Sequence, residues 1–148
     1  MTYPAYTAAL LARCLTSAPP PAAADERQAR GEALILELNN GRPQPTLEAL
    51  RRDFPTLADG IAGYALGEVW AQTTLDHRTR QLAAVSAFAA LGHQPFLRIH
   101  AEYALNVGVT EEELKQIVYL TSVHAGFPRA ISAAQTLAPL FVERAAAR

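Results

Sequence analysis

His100 stands in Leu97-Arg98-Ile99-His100-Ala101-Glu102, a stretch otherwise apolar toward one side, and is expected to be the only titratable group on that inner face. An imidazole gains or loses its proton near neutrality and can serve as general acid or base. A lone histidine is more often a satisfied polar residue than a catalyst. Of His77, His93, His100 and His124, however, three fall in or beside segments rich in small residues, which favours a functional grouping. Glu68 precedes Val69-Trp70 at the end of an apolar segment, where hydrophobic neighbours would desolvate a carboxylate and raise its pKa. Its simpler reading is an acid on a helix surface. Arg78 and Arg80 fall in the first turn of a helix, where a cation opposes the dipole. At least one is therefore a candidate for holding an anion, and for Arg78 a solvated turn is preferred. His124, before Ala125-Gly126, suits a helix C-terminus, where capping alone would explain it.

Other chemistries find little support. Ser17, Ser86, Ser122 and Ser132 lie in no nucleophile-elbow pattern, and no glycine-rich loop is placed to cradle phosphate. The single Cys14 has no partner for a disulfide, and no Cys/His spacing suits zinc, so no metal site is expected and a reducing, cytoplasmic setting fits. Thirteen basic against fourteen acidic side chains leave a formal charge of -1, too balanced to attract nucleic acid. No apolar run approaches the roughly 20 residues needed to span a bilayer, so no membrane partner is expected.

The positioning elements read as helices, and the expected class is all-α. Ala18-Pro19-Pro20-Pro21-Ala22 is expected to be extended and to set residues 1–24 apart from a domain over 25–148. Apolar positions Ala29, Ala33, Leu34 and Leu38 recur at helical spacing, and Asn39-Asn40-Gly41 supplies a stop. A short link with Pro43 and Pro45 follows. Leu57 to Trp70 is apolar with Gly60, Gly63 and Gly67 interleaved, a pattern that predicts close helix contacts. Asp76 caps a helix over 77–91 that Gly92 ends, and its face of Leu82, Val85, Ser86, Ala89 and Ala90 predicts burial. Pro95 suits the first turn of the next helix, which runs to about residue 107, and the two form an antiparallel hairpin. Thr110-Glu111-Glu112-Glu113 is a capping box for a helix reaching Gly126, and Pro128 opens the last one. Sustained alternation is absent, so a sheet is disfavoured.

Six ordered blocks carry a family likeness: Gly67-Glu68-Val69-Trp70, Leu75-Asp76-His77-Arg78-Thr79-Arg80, Ala90-Leu91-Gly92, Leu97-Arg98-Ile99-His100, Ala104-Leu105-Asn106-Val107-Gly108-Val109-Thr110 and Ala125-Gly126-Phe127-Pro128. Over about residues 26–140 the chain resembles the carboxymuconolactone decarboxylase family, within the alkylhydroperoxidase-D-like helical bundles. In the peroxidase branch the helix resembles a Gly-Cys-x-x-Cys-x-x-x-His arrangement. Here that register reads Gly92-His93-Gln94-Pro95-Phe96-Leu97-Arg98-Ile99-His100, with the histidine kept and both thiols gone. A thiol peroxidase reading fails, because no thiolate is present to attack a peroxide.

The resemblance implies loss of carbon dioxide from a small carboxylated lactone, 4-carboxymuconolactone or a related acid, without a cofactor. His100 is the candidate general acid, Arg80 holds a carboxylate or developing oxyanion, and Glu68 orients the histidine or moves the proton. His93, Arg98, His124, Tyr119 and Trp70 are the candidates for contact with substrate. Tyr119 and His124 exchange the places at which the decarboxylase pattern has a histidine and a tyrosine, which puts the particular substrate in doubt. An isomerase or cyclase using the same acid and anion site is the second reading, and a non-enzymatic helical assembly protein the third. The resemblance also implies a homo-oligomer, a trimer or hexamer, in keeping with Ala- and Leu-rich helices that leave apolar faces.

Overall fold

A computed structural model describes residues 21–147, so Cys14 and the expected appendage up to residue 20 lie outside the described part. The elements are α1 (Pro21–Leu38), α2 (Pro45–Asp53), α3 (Pro55–Asp59), a π-helix (Gly60–Trp70), α4 (His77–Leu91), α5 (Gln94–Asn106), α6 (Glu111–Ala125) and α7 (Phe127–Ala146). Among the described residues there is no strand, as the sequence predicts. None of these helices is long and apolar enough to cross a membrane. Pro21 does not stay extended but opens α1, because a first-turn proline has no partner for the N–H it lacks.

Two compact units are distinguished. The first takes in residues up to Leu34 together with Thr46–Ala71. Here the glycine pattern finds its explanation: a Cβ on Gly31 would lie 1.9 Å from the Ala62 carbonyl oxygen, and one on Gly67 1.9 Å from that of Arg27. The two backbones meet where only hydrogen fits. Arg30 Nε donates to the Gly67 carbonyl across the same contact at 3.2 Å. Gly60 has open space instead, so closeness does not explain it.

The second unit comprises Ile35–Pro45 and Gln72–Arg148. Asn39-Asn40-Gly41 does end α1, with Asn40 and Gly41 at φ 54° and 76°. The Asn39 amide donates to the carbonyls of Arg42 and Pro43, both at 2.9 Å, and so holds the turn. Asp76 caps α4 by accepting from the Thr79 N–H at 2.7 Å. Gly92 ends that helix at φ 77°, where the His93 N–H reaches back to the Phe88 carbonyl at 3.0 Å. With Pro95 in its first turn, α5 starts two residues after Gly92 and packs back on α4 as the predicted hairpin. α6 and α7 pack on each other and on this pair. Val85, Ala89, Leu97, Ala101, Ala104, Leu114, Val118, Ala133, Leu137 and Leu140 form the core between them. Ala89 on α4 and Ala101 and Ala104 on α5 are fully buried, and their small side chains let the hairpin close tightly.

Candidate functional site

Inside the α4–α5 hairpin, His100 Nδ1 lies 2.9 Å from Gln81 Oε1. An amide oxygen accepts, so this contact suits the tautomer that carries its hydrogen on Nδ1. Rings surround the imidazole: Phe88 is 5.0 Å away between centroids and Tyr103 meets it edge-on at 5.8 Å. Burial among them pushes the His100 pKa down from 6.5 to about 4. The group is thus neutral at pH 7. In that state the ring can accept a proton and has none to give as imidazolium.

Phe88 gathers the register in which the peroxidase branch has its thiols. His93 contacts its ring edge-on at 6.4 Å and Phe96 stacks on it at 5.6 Å. An aromatic cluster thus fills the redox register. His93 is exposed at the N-terminus of α5, and the structure brings it to the same phenyl ring as His100.

A cavity of about 290 Å³ lies along another side of α5, lined by Asn39, Arg42, Gln44, Arg98, Ile99 and Glu102 among others. Tyr103 links it to the imidazole: its hydroxyl accepts from Gln44 Nε2 at 3.0 Å while its ring touches His100. Burial raises the Tyr103 pKa, against the lowering effect of the Gln44 bond, so the phenol keeps its proton. Arg98, a candidate for substrate contact, is on this cavity and pairs with Glu102 at 3.3 Å and with Glu143.

Arg80 is half-buried and donates from Nε to the Leu75 carbonyl at 3.0 Å and from Nη2 to the Gln72 carbonyl at 2.7 Å. It fastens the loop leading into α4. Arg78 is exposed and pairs with Glu113, the solvated position expected for it. Glu68 has the surface placement of its simpler reading: its side chain is 44% exposed and pairs with Arg27 at 2.6 Å. Val69 beside it is exposed as well. Trp70, half-buried, ends that helix, and both residues belong to the first unit. Tyr119 is exposed and lines a groove of about 190 Å³ between α6 and α7 with Lys115 and Phe141. His124, also exposed, occupies the last turn of α6, as a capping role requires.

Gln81 is the residue that the sequence pattern shows and residue type hides. It precedes Val85 and Ala89 by four and eight positions, on the stripe predicted to be buried, but an amide carries no titratable signal. Among the described residues no group of three His, Cys, Asp or Glu side chains is placed to hold a metal.

An all-helical chain with a tight antiparallel hairpin enclosing one histidine defines an alkylhydroperoxidase-D-like bundle without its thiols. Residues 55–138, which include the hairpin, match the profile of the Carboxymuconolactone decarboxylase family, and the chain belongs to that family. It is 34% identical over 95 residues to a 4-carboxymuconolactone decarboxylase of Acinetobacter baylyi, covering 64% of this chain and 69% of that protein. It is 33% identical over 90 residues to a nitrosuccinic acid decarboxylase of Metarhizium robertsii, 57% of this chain and 62% of that protein. An uncharacterized protein of Methanocaldococcus jannaschii is 24% identical over 95 residues, 64% of this chain and 88% of that protein.

Proposed function

We propose that the chain is a cofactor-independent decarboxylase of a small carboxylated lactone, 4-carboxymuconolactone or a related acid, working through His100. The carrying observation is a half-buried, neutral imidazole within a matched region whose relatives include two proteins named as decarboxylases of small acids. In such a reaction the bond between ring carbon and carboxylate breaks and carbon dioxide leaves. The electron pair passes through the conjugated ring to the lactone carbonyl, and one proton must then reach carbon. A neutral His100 can receive that proton on Nε2 when the anionic substrate arrives, since a nearby negative charge offsets the burial that opposes imidazolium. It returns the proton to carbon after carbon dioxide departs, so one proton is consumed per turnover.

Arg80 is assigned to a substrate carboxylate, its plane held by the Leu75 and Gln72 carbonyls. Glu68 keeps its proposed part in proton movement on the sequence resemblance. Arg98, His93, Trp70, Tyr119 and His124 remain the proposed substrate contacts. Incubation with 4-carboxymuconolactone and related lactone acids tests the proposal by trapped carbon dioxide. One equivalent released per substrate consumed supports it, whereas a rearranged product that retains its carboxylate points to the isomerase or cyclase reading.

A further inference from the structure

Gln81, Val85 and Ala89 follow one another at four-residue intervals along α4, and each is 0% exposed. A primary amide at the head of such a stripe brings two donor hydrogens and an acceptor oxygen that need partners. Its Oε1 meets His100 Nδ1, but its buried Nε2 has no hydrogen-bond partner among the described residues. An unmet buried donor costs stability, because its hydration is lost and not replaced. Methionine or leucine would fill the same space without that cost, so packing does not account for an amide here. What distinguishes the amide is its oxygen on the imidazole.

We propose that Gln81 is a positioning residue: its carbonyl oxygen accepts the Nδ1 hydrogen of His100 and thereby places the imidazole's proton-accepting lone pair on Nε2. A neutral imidazole otherwise divides between two tautomers, only one of which presents Nε2 as a base. The choice of amide over carboxylate also matters. A carboxylate at the same 2.9 Å would draw a second proton onto the ring, whereas an amide orients it without adding charge. Several neighbours among the described residues are consistent with this neutrality. Phe88 carries no charge and Tyr103 keeps its proton, while Arg98 and Glu102 on the same helix pair with each other. Arg80 on α4 is engaged with loop carbonyls, and His77, one turn before Gln81, lies 3.6 Å from Glu37 through Nε2. Glu143, from the packed α7, is taken up by Arg98.

The inference rests on His100 being the acid–base group, but its test needs no substrate and can fail separately from the decarboxylase proposal. Long-range proton–nitrogen NMR of the full chain reports which imidazole nitrogen carries hydrogen, and a pH series gives the titration midpoint. In the unaltered protein the hydrogen is expected on Nδ1. In Gln81→Met the ring should redistribute toward the Nε2–H form, and in Gln81→Glu the midpoint should rise by about one pH unit or more, as a facing carboxylate requires. Melting temperatures on the same samples report packing, which a purely structural role would alter while leaving tautomer and midpoint in place. Hydrogen on Nε2 in the unaltered protein, or an unchanged tautomer in Gln81→Met together with an unchanged midpoint in Gln81→Glu, would overturn the proposal.

Discussion

At His100, burial pushes the pKa down, and this has a consequence for stability. The folded chain titrates there near 4 and an exposed imidazole near 6.5. Between those values the unfolded chain holds more protons, so stability rises with pH across the interval. The contribution is complete above about pH 6.5 and is lost as pH falls through about 4. A shift of this size corresponds to about 3 kcal/mol. The urea midpoint is therefore expected to fall between pH 7 and pH 4.5, and to fall less in His100→Asn, which has no imidazole to charge. Equal decreases in both proteins would show that His100 is not held neutral by the fold. Sequence reasoning found His100 because an imidazole amid apolar residues is conspicuous. For Glu68 it left a desolvated and a surface acid both open, because apolar neighbours in sequence do not fix which way a side chain faces; in the structure the side chain is 44% exposed. The amide of Gln81 gave no such signal.

Helix ends were legible at the level of elements because their chemistry is local. Asp76, Gly92, Thr110 with Glu113, and Gly126 all mark the boundaries expected of them. In the capping box the Thr110 N–H donates to Glu113 at 2.9 Å and the Glu113 N–H to Thr110 Oγ1 at 3.2 Å. The bond from the Thr110 N–H, then the Arg78 guanidinium and the Thr110 hydroxyl, hold the Glu113 pKa down at about 2. Thr110→Ala should cost about 1 kcal/mol in denaturant unfolding, and no measurable loss would deny the cap its role. The π-helix was not legible. Its period shows only afterwards, in buried Ala62 and Gly67 and exposed Tyr64 and Val69, each pair five apart, with the Ala71 N–H on the Leu66 carbonyl at 3.0 Å. Glycines there announced a close approach without saying which. Since Gly67 sits against the Arg27 carbonyl, Gly67→Ala should destabilise by about 1–3 kcal/mol. Gly60→Ala, in open space, should not carry that penalty. Similar melting temperatures for the two variants would contradict the contact.

For the molecule as a whole, the fold class followed from helical periodicity, whereas association depends on surfaces whose partner the sequence does not specify. Leu120, Val123, Phe127 and Ile131 on α6 and α7 are each about half to three-quarters exposed, Val123 reaching 77%. Apolar side chains grouped on one helical pair favour a covering surface, and a second copy of the chain is the expected one. Light scattering should give a multiple of 16.0 kDa, and Val123→Glu with Phe127→Glu should shift it toward the monomer. A clean monomer at micromolar concentration for the unaltered chain would count against self-association.

Single-turnover release of carbon dioxide from 4-carboxymuconolactone, measured side by side for the unaltered chain and His100→Ala, bears most directly on the proposed chemistry. Circular dichroism on the same samples establishes that the variant is folded. A positioned acid–base group is worth about 100-fold or more, so release should slow by at least that factor in folded His100→Ala. An unchanged rate in the folded variant would show that His100 only fills a buried niche.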